Sequence, residues 1–422
     1  MRIFITALFL SVLTACTQQA TLGPEHHVYS EVTASGLLSE ARTSISSIPE
    51  AGDRVDAMLD LALALYDIED KVAASELIDQ ALTLSSEAAS VADRDALQLK
   101  ILATASEIHY PHALHTALPS LTASIQAANV AQPDWSHYQM LAVLIAKAGD
   151  YDRAVDLANR IPDSSFDSLA LRAKALTGIS TTVARSGDLV VAERILESVT
   201  KGLPYYRAIA YANLAVASNV EEKDARQNKF FEQAVSLAKG QTNNYYVAGA
   251  TRTVASRYVA VGLLEQAKPL YHYAMDAATH AGSPQEAARA LSRIMSSLAD
   301  SQLTSELKSI PLQAVAIAES ETNDVYRYWA YYELAGSLAQ LGMNELALDL
   351  AGRIPSELIF AGRNLRSATL RDVAWGFAQN QQLDSAMAVT KTIPQLREKA
   401  QALSRIARVV NNPSMHSLPR YL

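Results

Sequence analysis

The sequence predicts an all-α fold, an α-α superhelix of about ten antiparallel helix pairs. The chain is 49% hydrophobic but has only 16 Gly and 14 Pro in 422 residues, which favours long helices over loops. The segment ALSRIMSSLAD at residue 290 recurs as ALSRIARVVNN at 402. Likewise, RAVDLANRIPD at 153 recurs as LALDLAGRIPS at 346. Internal repeats of this kind indicate stacked helical units.

One apolar anchor residue marks the first helix of each unit, helix A, and successive anchors lie 33 to 40 residues apart. Positions −3, 0, +1 and +4 around the anchor share one face of a helix and are mostly apolar. Alanine follows the anchor in seven of the ten units. The anchors are Leu61, Ile101, Leu141, Ile179, Leu214, Val254, Ile294, Leu334, Val373 and Ile406.

A turn and a second helix, helix B, follow each helix A. Glycine stands eight residues after four anchors, where a left-handed residue ends a helix without strain. Alanine stands thirteen residues after six anchors and lets helix B approach helix A closely. Ile-Pro pairs at 161, 354 and 393 end helix B, because proline cannot continue a helix. The glycines are Gly149, Gly187, Gly262 and Gly342, and the alanines are Ala74, Ala154, Ala192, Ala267, Ala347 and Ala386.

This pattern resembles the tetratricopeptide repeat, most clearly in YQMLAVLIAKAGDYDRAV at residues 138–155. The resemblance implies a right-handed solenoid over residues 36–412, with the A helices on its concave side. The period is nearer 40 residues than the 34 of that family, and a HEAT-like arrangement of the same pairs remains open. The matching residues are Tyr138, Leu141, Ala142, Gly149, Tyr151 and Ala154.

The two ends of the repeat region are half-units. Residues 37–50 resemble a helix B alone, and after Ile406 only a helix A remains before the tail at 413–422. Half-units at the ends of a solenoid are interpreted as caps, because each repeat buries its faces against neighbours. In the unit anchored by Leu214, residues 221–229 delay helix B, so Ala234 takes the place of the packing alanine.

The first sixteen residues predict export and lipidation. Arg2, an apolar run from Ile3 to Leu13 and the ending Leu-Thr-Ala-Cys describe a secretory signal at residues 1–15. The ending resembles the bacterial lipobox, which implies that Cys16, the single cysteine, carries diacylglycerol and a further acyl chain such as palmitate. Thr17 in place of Asp then implies the outer membrane, facing the periplasm. The alternative to a lipoprotein signal is a plain signal peptide in which Cys16 is incidental. Residues 16–35 are expected to be a tether between the lipid and the repeat region.

Charge excludes some classes of partner. The formal net charge is −8, and removal of Arg2 with the signal leaves 35 basic against 44 acidic residues, about −9. Nucleic-acid-binding proteins carry basic patches, so no nucleic-acid partner is expected. Contact with the membrane is expected only through the lipid anchor.

The sequence contains none of the common catalytic or nucleotide-binding motifs. Three histidines at 109, 112 and 115 have the spacing of a metal site, but Pro111 places a turn inside the cluster. Polar residues at a turn are the preferred interpretation, so no metal, no cofactor and no enzymatic activity are expected.

Aromatic and arginine side chains fall on the predicted concave face, opposite the anchors. These residue types dominate the energetics of protein interfaces, and they also stack on sugars and bind carboxylates. The alternative is ordinary packing between long Ala-rich helices. The candidate groove residues are Trp329, Tyr332, Arg371, Trp375, Arg252 and Arg408.

The expected function is therefore that of a membrane-anchored interaction scaffold or adaptor for proteins of the bacterial cell envelope, as the resemblances imply. The alternative is a module that binds a periplasmic polysaccharide or peptide through the groove of the C-terminal repeats.

Overall fold

The structure, a computed structural model, describes residues 32–128, 133–199, 203–218, 225–307, 309–360 and 362–412. The signal peptide, Cys16, most of the tether and the tail at 413–422 lie outside these residues. A compact unit begins at Thr33, whose side chain caps the first helix. No helix in the described ranges is long and apolar enough to span a membrane.

Twenty α-helices occupy the described part of the chain, and they alternate between A and B. The A helices are α2 (Ala51–Asp67), α4 (Val91–Glu107), α6 (Trp135–Lys147), α8 (Phe166–Arg185), α10 (Pro204–Ala217), α12 (Asn244–Ala260), α14 (Pro284–Asp300), α16 (Asp324–Gln340), α18 (Leu365–Gln379) and α20 (Leu396–Asn411). The B helices are α1 (Ala34–Ser46), α3 (Lys71–Ser85), α5 (Pro111–Ala128), α7 (Tyr151–Asn159), α9 (Leu189–Glu197), α11 (Ala225–Lys239), α13 (Leu264–Thr279), α15 (Ile310–Glu319), α17 (Asn344–Arg353) and α19 (Leu383–Thr392).

Two short elements interrupt this alternation. A 3₁₀ turn, Thr304–Glu306, precedes α15. A two-stranded antiparallel hairpin, β1 (Ile359–Phe360) and β2 (Arg363–Asn364), precedes α18. The all-α fold of helix pairs is confirmed.

The repeat pattern has the physical roles that the sequence predicts. All ten anchors are at most 1% exposed, and the six packing alanines and Ala234 are fully buried. Helices α17 and α19 end directly before their Ile-Pro pairs, and α7 ends one residue earlier, at Asn159. The anchors and alanines therefore form the seam along which each A helix packs on its B helix.

The eight turns between helix A and helix B that the structure describes all use the left-handed region. The four predicted glycines have φ between +75° and +100°. Four other described units reach the same region with a side chain at the same position, at a cost of about 1–2 kcal/mol each. These residues are Glu69, His109, Gln302 and Gln381, with φ between +52° and +67°.

Substitution of Gln381 by Gly should raise the free energy of unfolding by about 0.5–1 kcal/mol, because it removes backbone strain at φ +63°. The gain is smaller than the full strain energy, since glycine loses more backbone entropy on folding. Gly342→Ala is the matched control, since a Cβ there meets nothing within 4 Å and only the backbone at φ +75° opposes it. It should lower stability by about 1 kcal/mol. Chemical denaturation measures both, and equal midpoints for the two variants would contradict the assignment.

The A helices form a closed ring. Each A helix packs against the A helix before and after it, and α20 packs against α2. Within the described ranges, each B helix packs on its own A helix and on the following one, but hardly on other B helices. Because the B helices hardly contact one another, they lie further from the centre of the ring than the A helices do. The A helices therefore line the inside of the ring, and the B helices cover the outside.

The interpretation of the two terminal half-units as separate caps is wrong. Helix α20, the last A helix, packs against α1, the first B helix, as closely as A and B pack within other units. Leu37, Leu38 and Ile45 of α1 are buried in this way. The two half-units thus complete each other, because each offers the apolar face that the other lacks. They form the tenth helix pair and close the ring.

Ion pairs accompany this closure along α20 and α2. Arg397 pairs with Asp53, Arg405 with Asp60, and Arg408 with Asp67. Lys399 also lies 3.6 Å from Glu40 of α1. Arginines therefore repeat along α20 in register with aspartates along α2, and the register fixes how the two ends of the chain meet.

A regular ring of ten helices spaced about 9 Å apart has its helix axes about 15 Å from the centre. In such an ideal ring, a helix radius of about 5 Å leaves a lumen roughly 19 Å across. A lumen of this width accommodates a single extended chain or one helix.

Candidate functional site

A belt of polar side chains runs around the lumen, one residue before the anchors. Seven units carry a charged or amide residue there, and the belt residues are Asp60, Lys100, Asn213, Arg293, Glu333, Asp372 and Arg405. Many of them bridge neighbouring A helices. Lys100 lies 2.8 Å from Asp56, Arg257 donates to Asn213 at 2.7 Å, and Arg405 donates to Asp372 at 3.0 Å.

The belt opens into a cavity of about 430 Å³, the lumen pocket, in the C-terminal half of the ring. Every residue that lines it comes from an A helix, namely α12, α14, α16 or α18, so it faces the lumen. Gly336 keeps α16 and α18 close together, because a Cβ on it would lie 3.2 Å from the Cβ of Asp372. The residues that define the lumen pocket are Arg252, Arg293, Ser296, Tyr332, Glu333, Gln340, Asp372 and Trp375.

Three of the six candidate groove residues, Arg252, Tyr332 and Trp375, line the lumen pocket. Trp375 is only 1% exposed, and its indole Nε1 has no hydrogen-bond partner. Arg252 is mostly buried and donates to Thr253 at 3.0 Å. Tyr332 on α16 and Trp375 on α18 line the same pocket, as their predicted proximity on neighbouring A helices requires.

The other three candidates have structural partners. Arg371 is buried and donates to Asp372 at 2.8 Å and to Gln401 at 2.9 Å. Trp329 packs against Tyr332 and Phe360, with ring centroids 5.2 Å and 4.7 Å apart. Arg408 pairs with Asp67 where the ring closes. The geometry of these three residues fits ordinary packing within the protein better than it fits a binding groove.

The two carboxylates of the lumen pocket are already neutralised. Burial disfavours the charge on Asp372, but the guanidinium groups of Arg371 and Arg405 outweigh it and hold the pKa of Asp372 below its usual value. Burial raises the pKa of Glu333, although Arg289 lies 3.3 Å away. The Asp372 carboxylate, together with burial, raises the pKa of Tyr332, which keeps its hydroxyl protonated.

Arg293 and Gln340 line the lumen pocket but are not among the six candidate groove residues predicted from the sequence. Arg293 is exposed to the lumen and forms no close ion pair or hydrogen bond with a described residue, although its positive charge opposes the rise in the pKa of Glu333. The side-chain oxygen of Gln340 is buried and has no hydrogen-bond partner. Arg293 precedes its anchor by one position and Gln340 follows its anchor by six. Two helical turns separate these positions, so they share a helix face.

A second candidate surface lies on the edge of the ring where the A helices begin. Five aromatic residues in the first turns of α8, α10 and α12 contact one another across three units, and we call them the aromatic rim. Their ring centroids are between 5.2 and 6.5 Å apart. They are Phe166, Tyr205, Tyr206, Tyr245 and Tyr246.

Helix caps set the orientation of the aromatic rim. Ser165 forms a capping box at the start of α8, and Asn243 accepts from the backbone N–H groups of Tyr245 and Tyr246. Because the starting points of successive A helices are fixed, their first-turn aromatic side chains meet. Burial, with smaller contributions from Tyr205 and Tyr246, raises the pKa of Tyr206 to about 12. Phe166 at the end of the rim remains 57% exposed.

The histidine cluster is not assembled as a metal site. His109 occupies the left-handed turn at φ +52°, while His112 and His115 are exposed in the first turns of α5. In the part of the chain that the structure describes, no group of three His, Cys, Asp or Glu side chains is placed to hold a metal ion.

No protein-family model and no curated protein sequence matches this chain. Among solved structures, it is similar to the crystal structure of Ton1535 from Thermococcus onnurineus NA1, with 15% sequence identity and a TM-score of 0.28. The match covers 82% of this chain and 99% of that one. A TM-score this low supports no conclusion about a shared fold or function.

Proposed function

We propose that this protein is a lipid-anchored interaction scaffold of the bacterial cell envelope, with tetratricopeptide-like helix pairs that bind a protein partner. The lipobox-like ending at Cys16 supports attachment to a membrane, and Thr17 supports the outer membrane with the ring facing the periplasm. The helix-pair repeats support the scaffold role, since repeat arrays present extended binding surfaces.

The observation that carries the proposal is the aromatic rim. Tyrosine is among the residue types that supply most of the binding energy at protein interfaces. Here four tyrosines and Phe166 form one continuous surface across three units, and Phe166 is more than half exposed. Large aromatic side chains on a rigid support lose little conformational entropy on binding, which favours affinity.

The closed ring supplies the rigid support. Because each A helix is held on both sides by other A helices, the starts of α8, α10 and α12 stay at fixed distances from one another. The aromatic rim is therefore presented in one arrangement. We assign the partner-binding surface to this rim, and a folded partner reaches it without entering the lumen.

A photo-reactive phenylalanine analogue at position 166 should crosslink one defined protein partner in intact cells, identified by mass spectrometry. Leu312 on α15 provides the matched control, because it is 62% exposed and lies in an outer helix. Crosslinking at 166 but not at 312 is the expected result. Equal capture at both positions, or none at 166, would contradict the assignment to the aromatic rim.

The anchor is tested in the same cells. Cys16→Ala should move the chain from the membrane fraction to the soluble fraction, because two or more acyl chains are needed for stable anchoring. Retention of this variant in the membrane would show that the attachment does not depend on Cys16.

A further inference from the structure

The lumen pocket contains polar groups that the protein itself leaves unsatisfied. The indole N–H of Trp375 is a buried donor without a partner, although an unpaired buried donor usually costs about 1–3 kcal/mol. The Arg293 guanidinium is a charged donor without a close ion pair among the described residues. Gln340 presents an acceptor oxygen without a donor.

These groups specify the chemistry of a complementary ligand. The guanidinium groups here call for a further negative charge, because Arg289 and Arg293 share the Glu333 carboxylate and Arg371 and Arg405 share that of Asp372. The Trp375 N–H calls for an acceptor. The Gln340 oxygen calls for a donor, which a bare carboxylate does not have at neutral pH. The ligand therefore needs an anionic group together with hydroxyl groups that donate and accept.

We infer that the lumen pocket binds an acidic saccharide, a sugar ring that carries a carboxylate. The carboxylate lies against Arg293, and ring hydroxyls pair with Gln340 and with the indole N–H of Trp375. The ring of Tyr332 supplies an apolar face for the C–H face of the sugar. The cavity of about 430 Å³ is within the size range of small-ligand pockets, about 300–1,000 Å³.

The width of the lumen agrees with this ligand. An ideal ring of ten helices leaves an opening of roughly 19 Å, which a single saccharide chain passes, so a residue within a longer acidic polymer reaches the pocket as a free monosaccharide does. The site goes beyond the proposed scaffold function. It lies on the inner faces of α12 to α18, whereas the aromatic rim lies at the starts of α8, α10 and α12.

Calorimetric titration of the full chain in detergent with glucuronate tests the inference. Glucose keeps the hydroxyl groups but lacks the charge, whereas succinate has carboxylate groups, two instead of one, but lacks the ring and its hydroxyl groups. Glucuronate should bind at least about tenfold more tightly than either, because a charge-assisted hydrogen bond and the hydroxyl contacts both contribute. Equal binding of all three compounds, or binding of succinate alone, would overturn the assignment to a saccharide. Absence of glucuronate binding would also overturn it.

Two variants locate the site. Arg293→Gln should weaken glucuronate binding at least about tenfold and remove the preference over glucose, because it deletes the charge. Trp375→Phe keeps the ring but deletes the N–H, and it should weaken glucuronate and glucose alike, since this donor serves a hydroxyl. The control is Arg160→Gln, an exposed arginine after α7, which should leave binding unchanged.

The results separate the two proposals. Unchanged glucuronate affinity in Arg293→Gln would place any binding elsewhere and overturn the inference. The crosslink at position 166 would be unaffected by that result, because it reports on a different surface. A thermal melt of each variant distinguishes a loss of binding from a loss of folding. The Arg293→Gln variant should have an unchanged melting temperature, because Arg293 is exposed.

Discussion

Substitution of Arg405 by Ala is expected to lower the free energy of unfolding by about 3–5 kcal/mol, the usual cost of removing one partner of a buried ion pair. Its guanidinium lies 3.4 Å from Asp60 and 3.0 Å from Asp372, and its side chain is only 9% exposed. Asp60 is 3% exposed, so it would remain buried as an unpaired carboxylate. The variant therefore acts where α2, α18 and α20 meet.

Arg353→Ala is the matched control, because Arg353 pairs with Glu319 and Asp349 on the surface, where all three side chains are 42–48% exposed. Exposed pairs of this kind contribute about 0–1 kcal/mol. Urea unfolding of both variants measures the difference. A loss in Arg405→Ala as small as that in Arg353→Ala would show that the ion pairs between α20 and α2 do not hold the ring closed.

Gly376→Ala should also destabilise the protein strongly, by about 2–3 kcal/mol or more. A Cβ at Gly376 would lie 2.5 Å from the Cβ of Ala339 and 2.7 Å from backbone atoms of Ala339 and Gln340. Because these neighbours include backbone, α16 and α18 would have to move apart. Their close approach also lets Asn380 donate to the carbonyl of Ala339 at 2.6 Å.

Gly352→Ala is the control for this variant. Gly352 lies in α17, and a Cβ there meets nothing within 4 Å, so the better helix propensity of alanine should raise stability by about 0.5–1 kcal/mol. The two Gly→Ala changes thus have opposite signs, and thermal unfolding followed by circular dichroism resolves them. A stabilised Gly376→Ala variant would contradict the close packing of α16 on α18.

The sequence predicts the local features of this fold because they depend on residues close together in the chain. Gly149 and Gly342 mark the turns through the left-handed region, and Ala74 and Ala234 mark the packing of helix B on helix A. Ring closure depends instead on a small rotation added at each of ten units. An error of a few degrees per unit decides between an open superhelix and a ring, and no local pattern determines the sum.

One signal for the closure is present in the sequence. The residue before the anchor is an aspartate in the first A helix, Asp60, and an arginine in the last, Arg405. The half-units are complementary as well, since the first is a helix B and the last is a helix A. In this chain, opposite charges at equivalent positions of complementary terminal half-units are the signal for closure.

The candidate groove was predicted on a helix face rotated from the centre of the lumen pocket, although Arg252, Tyr332 and Trp375 lie on both. The positions chosen from the helical angle were −5, −2 and +2, which include buried residues such as Arg371. The lumen pocket takes Arg293 from position −1 and Gln340 from position +6. This shift arises because each A helix packs against two A helices as well as its B helix, so the open face is not directly opposite the anchor.

The composite tenth pair also affects how the protein is made. Helix α1 leaves the ribosome before the other described helices, but its A-helix packing partner, α20, is complete only after residue 411, and Arg397 lies 344 residues from Asp53. Contacts so distant in sequence slow folding. A truncated chain displays Leu37, Leu38 and Ile45 of α1 to solvent, where exposed apolar surface attracts proteases and aggregation. Only a chain that includes α20 buries the apolar face of α1. Molecules that contain α20 therefore differ from shorter fragments in the apolar surface that they expose during biogenesis.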